Sequence, residues 1–280
     1  MKIGIISFYF NKYGVREGAK RMREHGYDCV DYQGFVNTET DFFRLGEREF
    51  ERTLTDQRKM IESEGITVNQ VHGPWRYPPR DLEAEDRAER FASMSKSIRG
   101  ASYLGCDKMV VHPLMPYGAD SDENPEKMRE INYEFFARIA EVGKEYGVVV
   151  CYENMPFRKL PITSYKDVCD TVRMIDSKYF KVCLDVGHCL TLSHSPADAV
   201  RYIGKDLYAM HVHDNDGTAD QHLIPGQGIG DFRELTRALY EIGYEGVYSL
   251  ETHIKADSAE EQLRREYELA ALAKSLVQLS

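Results

Sequence analysis

The sequence predicts a single (β/α)8 TIM barrel, and three observations carry that expectation. Short apolar runs rich in Val and Ile alternate eight times with longer amphipathic, charged stretches. No Pro/Gly/Ser-rich linker interrupts the alternation, and 280 residues is long for one sandwich but ordinary for one barrel, so one domain over 1–280 is expected. The apolar runs also end repeatedly in His, Asp or Glu, as a barrel with its site at the C-terminal ends of its strands would require.

The first run, 2–7, precedes a helical window over 14–25 that stops at Gly26, a residue suited to the left-handed position after a helix. The second and third, 28–32 and 67–72, precede windows 47–64 and 82–104, which stop at Gly65 and Gly105. After the fourth, 108–112, the window 125–146 shows helical periodicity, with Ile131, Phe135, Ile139 and Val142 on one face, and stops at Gly147. The fifth, 148–153, leads to a helix over 164–175 with Ser164 as a natural N-cap. The sixth, 182–186, and seventh, 207–213, lead to windows 196–204 and 231–242, the latter capped by Asp231 and stopped by Gly243. The eighth, 246–251, is followed by a final helix over 258–277. An open doubly wound sheet is the competing architecture, but GIISFYF after the chain start lacks the GxGxxG turn of its dinucleotide-binding form.

Composition narrows the function classes. A hydrophobic share of 42% is ample for a core, and a net charge of −10 argues against broad nucleic-acid binding, which needs a basic surface. The six cysteines contain no CxxC pair and sit largely in apolar runs, so they are expected to be reduced and buried. No stretch approaches the roughly 20 apolar residues that span a bilayer, and the start does not resemble a signal peptide, so a cytoplasmic location without membrane contact is expected. The charge-rich stretches 46–52 and 81–90 are expected to be solvated helix faces without function.

Side chains alternate along a strand, so the last inward position of each barrel strand points into the mouth. On that period Glu153 shares a face with Cys151, Asp185 with Cys183, Glu251 with Ser249, and His211 with His213. Glu153, Asp185, His211 and Glu251 form a carboxylate-rich set with one imidazole, which suits a divalent ion such as Mn²⁺, Mg²⁺, Co²⁺ or Zn²⁺. Each alone would read as a hydrogen-bonded core residue; together, the carboxylates repel one another unless a cation compensates. A second layer comprises His72, His112, His188, Asp220 and His222. These residues are candidates either for substrate hydrogen bonds or for further metal ions, since D-x-H spacing lets Asp220 and His222 share one ion. His188 is expected in a loop reached through a turn at Val186 and Gly187.

The segments HGP, VVHP, YENMP, CLDVGHC, HVHDNDG, DQHLIPGQGIGDF and SLET, in this order from His72 to Glu251, resemble the xylose-isomerase-like TIM barrel superfamily. That group holds the sugar phosphate isomerase/epimerase proteins and endonuclease IV. The resemblance implies a metal held by Glu153, Asp185, His211 and Glu251. In the epimerase branch it implies Glu153 and Glu251 as the acid/base pair and His188 as a substrate contact. In the endonuclease branch it implies His72, His112, His188, Asp220 and His222 as additional metal ligands, so a multi-zinc AP endonuclease is the alternative. CLDVGHC in place of a CLDTCH-like motif, HVHDND in place of HLND, and Pro225 before Gly-Gln-Gly favour the sugar branch, as does the acidic charge balance.

The expected activity is therefore a divalent-metal-dependent isomerisation or epimerisation of a sugar, sugar phosphate or keto-polyol through a metal-stabilised enediolate. One glutamate would remove the α-proton and the other return it. A keto-polyol dehydratase is the neighbouring chemistry, with a β-hydroxyl leaving instead. Trp75, beside Arg76 and Tyr77, is a candidate apolar wall against the carbon face of a small carbohydrate, and Arg158 a further substrate contact. No clear phosphate cradle stands in the sequence. The final helix, with Leu263, Tyr267, Ala270 and Leu276 toward one side, fits either its own barrel or the interface of a homo-oligomer.

Overall fold

The computed structural model describes residues 1–252, 254 and 256–278. β1 (Lys2–Ile6) is followed by α1 (Phe8–Tyr13) and α2 (Val15–His25), β2 (Cys29–Tyr32) by α3 (Asp41–Arg44) and α4 (Glu47–Ser63), and β3 (Thr67–His72) by α5 (Ala84–Tyr103). β4 (Lys108–Val111) leads to α6 (Pro125–Tyr146), and β5 (Val149–Glu153) to α7 (Tyr165–Ile175). β6 (Phe180–Asp185) precedes α8 (Val186–Thr191) and α9 (Pro196–Ile203), β7 (Leu207–His211) precedes α10 (Phe232–Glu241), and β8 (Val247–Leu250) precedes α11 (Ala259–Val277).

The eight strands pair in parallel in the order β7-β6-β5-β4-β3-β2-β1-β8. The sheet closes where Val212, just past β7, bridges Leu250 in parallel: the Val212 amide donates to the Ser249 carbonyl (2.8 Å), and the Glu251 amide donates to the Val212 carbonyl (3.0 Å). The fold is thus the expected barrel. Most apolar burial lies between strands and helices, while a small separate cluster of Val110, Val149, Cys151, Cys183 and Ala209 fills part of the barrel interior. Three of these, Cys151, Cys183 and Ala209, sit two residues before Glu153, Asp185 and His211, so period-two alternation carries those side chains to the mouth.

Local signals behave as their chemistry dictates. Ser164 and Asp167 form a reciprocal capping box on α7, and Asp231 accepts the Glu234 amide at the start of α10 (2.9 Å). Gly26 (φ 97°) and Gly147 (φ 69°) close α2 and α6 in the left-handed conformation. All six cysteines are free and buried. Among the described residues no helix is long and apolar enough to cross a membrane.

Three expectations need correction. On α6 the buried face is Met128, Asn132, Phe135, Phe136, Ile139, Ala140 and Gly143, leaving Ile131 and Val142 half-buried. The buried stripe is rotated because Asn132 anchors it, bonding the Leu114 amide (2.8 Å) and carbonyl (3.0 Å) and the Tyr152 hydroxyl (2.9 Å). On α11 the packed face is Glu266, Leu269, Ala270, Ala273 and Val277, so Leu263 and Tyr267 face solvent. The 81–90 stretch is not wholly a solvated face either. Asp81 and Arg90 are both buried and paired at 2.6 Å; Arg90 also donates to the His112 carbonyl (3.1 Å), and Asp81 accepts the Met115 amide (2.9 Å).

That pair fixes the backbone just after β4, where His112 lies. Removing one member of a buried pair strands the other charge. Arg90→Met should therefore lower unfolding free energy by about 3–5 kcal/mol in urea titration, and adding Asp81→Leu should recover much of the loss.

Candidate metal centre and active site

The strand ends bring the sequence-predicted residues together. One donor atom each from Glu153, Asp185, His211 and Glu251 lies within 4.8 Å of the others. His211 Nδ1 sits 2.7 Å from Glu153 Oε1 and 3.2 Å from Glu251 Oε2. Its Nε2 faces Asp31 Oδ2 at 2.9 Å. Beside this set stand His72 and His112, whose Nε2 atoms lie 3.8 Å and 2.9 Å from Glu153 Oε2. Around Asp220 Oδ2, His188 Nε2 and His222 Nε2 both approach to 3.3 Å.

Three of these imidazoles share one arrangement. His72 Nδ1 donates to the Gly73 carbonyl (2.8 Å), His188 Nδ1 to the Asn154 carbonyl (2.7 Å) and His222 Nδ1 to the Glu251 carbonyl (2.7 Å). A carbonyl only accepts, so Nδ1 must carry the proton, and in the neutral ring Nε2 presents its lone pair to the mouth. This is the tautomer an Nε2 metal ligand needs.

The electrostatics follow from burial and from the crowding of charged groups. Burial, reinforced by His112, holds His72 down at about 4, so its ring is neutral beside a carboxylate. Burial opposes charge on His188 and His222 as well. There, however, Asp185 and Asp220 win at His188, and Asp220 with Glu251 at His222, raising them to about 10 and about 9. Burial would raise Glu153, yet His211 and His112 hold it well below the usual carboxylate range. Glu251 is raised to about 7 by burial, with His211 and His222 pulling against this and Glu153 pushing with it. Glu153 Oε2 is buried without a hydrogen bond, although a ring nitrogen lies 2.9 Å away. Buried carboxylate oxygens and imidazole nitrogens this close together are a donor set that fits a divalent cation.

Other residues hold the set in place. Asn154 clamps the ends of β5 and β6 together, donating to the Asp185 carbonyl (3.0 Å) and accepting the Asp185 amide (2.8 Å). His188 is not in a loop: Asp185 Oδ1 accepts its amide (2.6 Å) and caps α8, so the chain turns helical immediately after β6. The segment carrying Asp220 and His222 is organised by Asp214, whose carboxylate accepts the amides of Gly226 (2.9 Å), Gly228 (2.7 Å) and Gly230 (3.0 Å). A Cβ on Gly228 would meet the Asn215 carbonyl oxygen at 2.2 Å, which explains the glycine in IPGQGIG.

Above the cluster opens a cavity of about 310 Å³, within the range of small-molecule sites. Trp75, Tyr77, Met155 and Phe157 form its apolar side, with the Trp75 ring edge-on to His112 (4.5 Å) and Tyr77 stacked on Phe157 (6.4 Å). Trp75 thus lines the cavity beside His112. Arg158 is absent from the lining; its guanidinium donates to the Thr191 carbonyl at the end of α8. Asp31 was not foreseen, although CVDY is itself an apolar run ending near a carboxylate, and neither Asn154 nor Asp214 carried a signal beyond its neighbours.

The family profile described as xylose isomerase-like TIM barrel matches residues 19–272, and the chain belongs to that family. It is similar to uncharacterised proteins of Methanocaldococcus jannaschii (29% identity, 95% of this chain and 89% of that one) and Sinorhizobium fredii (33%, 85% and 81%). It is also similar to an inosose isomerase of Bacillus velezensis (20%, 85% and 82%). Among solved structures, a D-tagatose 3-epimerase-like protein superposes with a TM-score of 0.77 at 25% identity, covering 99% of this chain and 98% of that one. A protein called IolI, solved with a zinc atom, has the same fold (TM-score 0.77, 16% identity, 99% and 98%).

The three glycine amides give a test of the Asp214 anchor. Hydrogen bonds to a charged group are worth about 1.5–3 kcal/mol. Asp214→Ala should markedly speed hydrogen exchange at Gly226, Gly228 and Gly230 while leaving the amides of β5 and β6 protected.

Proposed function

We propose that the chain is a divalent-metal-dependent isomerase or epimerase acting on a sugar, sugar phosphate or keto-polyol. The observation that carries this reading is the pairing of Glu153 and Glu251 on one imidazole, at 2.7 Å and 3.2 Å, below an aromatic-walled cavity. Relatives named as an inosose isomerase and an epimerase-like protein support the class.

Glu153, Asp185, His211 and Glu251 would hold the ion, with Mn²⁺, Mg²⁺, Co²⁺ and Zn²⁺ all compatible with these oxygen and nitrogen donors. When bound, such an ion supplies Lewis-acid charge beside a substrate carbonyl. The chain supplies the proton transfers: one glutamate carboxylate accepts the proton from the carbon next to the carbonyl, and the other delivers a proton to the resulting enediolate. Return to the opposite face gives an epimer; return to the neighbouring carbon, with the hydroxyl proton passing from one enediolate oxygen to the other, gives an aldose–ketose pair. His188 and Trp75 position the substrate against this pair, and the ring wall keeps water from its carbon face.

In D₂O, a panel of ketoses should take up solvent deuterium beside the carbonyl, read by NMR. Glu153→Gln and Glu251→Gln should each slow exchange by ~10²–10⁴-fold or more, and near-normal exchange in either variant would sink the acid/base assignment. Loss of a hydroxyl from the product would instead assign the dehydratase chemistry. Chelation should stop exchange, and Mn²⁺ or Co²⁺ should restore it.

One observation favours a richer centre. His72, His112 and Glu153 form a further group with donor atoms close enough to share an ion, and His188 Nε2 and His222 Nε2 both lie 3.3 Å from Asp220 Oδ2. A multi-ion centre predicts more than one equivalent of metal per chain by elemental analysis, and one equivalent would retire it. The AP-endonuclease alternative additionally predicts nicking of an abasic duplex; the net charge of −10 stands against it.

A further inference from the structure

His213 is fully buried, lies outside the proposed catalytic set, and touches both halves of the centre. Its Nε2 approaches Asp185 Oδ2 at 3.0 Å and lies 3.8 Å from Asp220 Oδ1. A carboxylate beyond Nε2 makes that nitrogen the donor, and Nδ1 is buried with no hydrogen-bond partner. The ring is gripped on both faces. On one side lies Gly187, where an added Cβ would sit 1.9 Å from His213 Cε1; on the other, the ring of His222 stacks at 4.1 Å and 9°.

Asp185 is thereby held at both oxygens. Oδ1 accepts the His188 amide (2.6 Å) and Oδ2 accepts His213 Nε2 (3.0 Å). Each carboxylate oxygen has two lone pairs, so one donor apiece fixes the orientation and leaves a lone pair on each for a cation. His213's donor nitrogen is already committed to Asp185, which makes it a partner of a ligand rather than a ligand. We infer that His213 is a positioning residue: seated on Gly187 and stacked under His222, it locks Asp185 in its ligating orientation and ties that orientation to the Asp220–His222 loop. The inference rests on the metal reading above.

Co²⁺ titration of the metal-stripped full chain, followed by visible absorption and by metal content, tests it. His213→Phe keeps a planar ring between Gly187 and His222 but removes the donor. His213→Gln retains an N–H near the Nε2 position. Gly187→Ala keeps every donor and ligand but occupies the seat of the ring. Loss of a residue that orients a ligand typically weakens metal affinity ~10–100-fold. His213→Phe and Gly187→Ala should show a loss of that size with an altered absorption band, while His213→Gln should stay nearer the wild type.

Wild-type affinity in His213→Phe would overturn the inference, as would equal losses in the Phe and Gln variants, which would mark packing rather than donation. Should circular dichroism show the Phe variant unfolded, wild-type affinity in Gly187→Ala would overturn it instead, and the expected loss there would support it. A wild-type chain that takes up no Co²⁺ removes the metal reading and the inference together. A wild-type chain that binds Co²⁺ no better than the variants removes only the inference.

Discussion

His211 meets three carboxylates with no exposed surface of its own: Glu153 and Glu251 on Nδ1, and Asp31 on Nε2. Charges of one sign in a dry barrel mouth repel strongly, because little solvent remains to screen them. His211 is accordingly pushed well above its usual range: burial opposes its charge, but Glu251 and Glu153 prevail. The surrounding imidazoles serve the same end. Those near several carboxylates are drawn toward the charged state, and His72, beside His112, is not. The mouth is therefore a site whose charge is balanced by protons when no cation is there, and the same positions are the natural donors to a cation.

The tautomers that make those positions useful are imposed by main chain. Gly73, Asn154 and Glu251 offer carbonyls at the ends of β3, β5 and β8, and each takes the Nδ1 proton of one histidine. Those carbonyls stand at strand ends, so the sheet governs the chemistry of rings borne on different elements: His72 on β3, His188 on α8 and His222 on the segment after β7. Asp31 does for His211, through a side chain, what the carbonyls do for the others, and Gln70 (2.8 Å) and Gln33 (3.2 Å) hold Asp31 in turn.

Much of this was legible in the sequence because two strong periodicities act together. Alternation along VVVCYE and VCLD told which side chains reach the mouth, and glycine stops marked where helices end. What escaped was contact between elements distant in sequence. Asp31 and His211 are 180 residues apart, and no local pattern pairs them. Likewise Asp81 and Arg90 read as part of a charged helix face, since burial beneath the end of β4 is a tertiary property. The short helix α8 has too few residues, six, for periodicity to show; its one local signal is the cap, Asp185, a residue whose carboxylate also faces the mouth. Arg158 follows the strand that carries Glu153, and its guanidinium bonds a carbonyl of α8, a contact between elements that no local pattern shows.

The Asp214 anchor has a consequence for how such a centre diversifies. One carboxylate gathers the amides that follow the loop, and an antiparallel bridge joins Asp214 to Leu223, so the segment is buckled shut near its base. The residues between buckle and tip meet the barrel through a few side-chain contacts, Asp220 with His188 Nε2 (3.3 Å) and His222 with the Glu251 carbonyl (2.7 Å). Exchanging that short insert would re-equip the outer half of the centre while the inner half, borne on strands, stays as it is. The barrel thus carries one fixed tool and one interchangeable attachment.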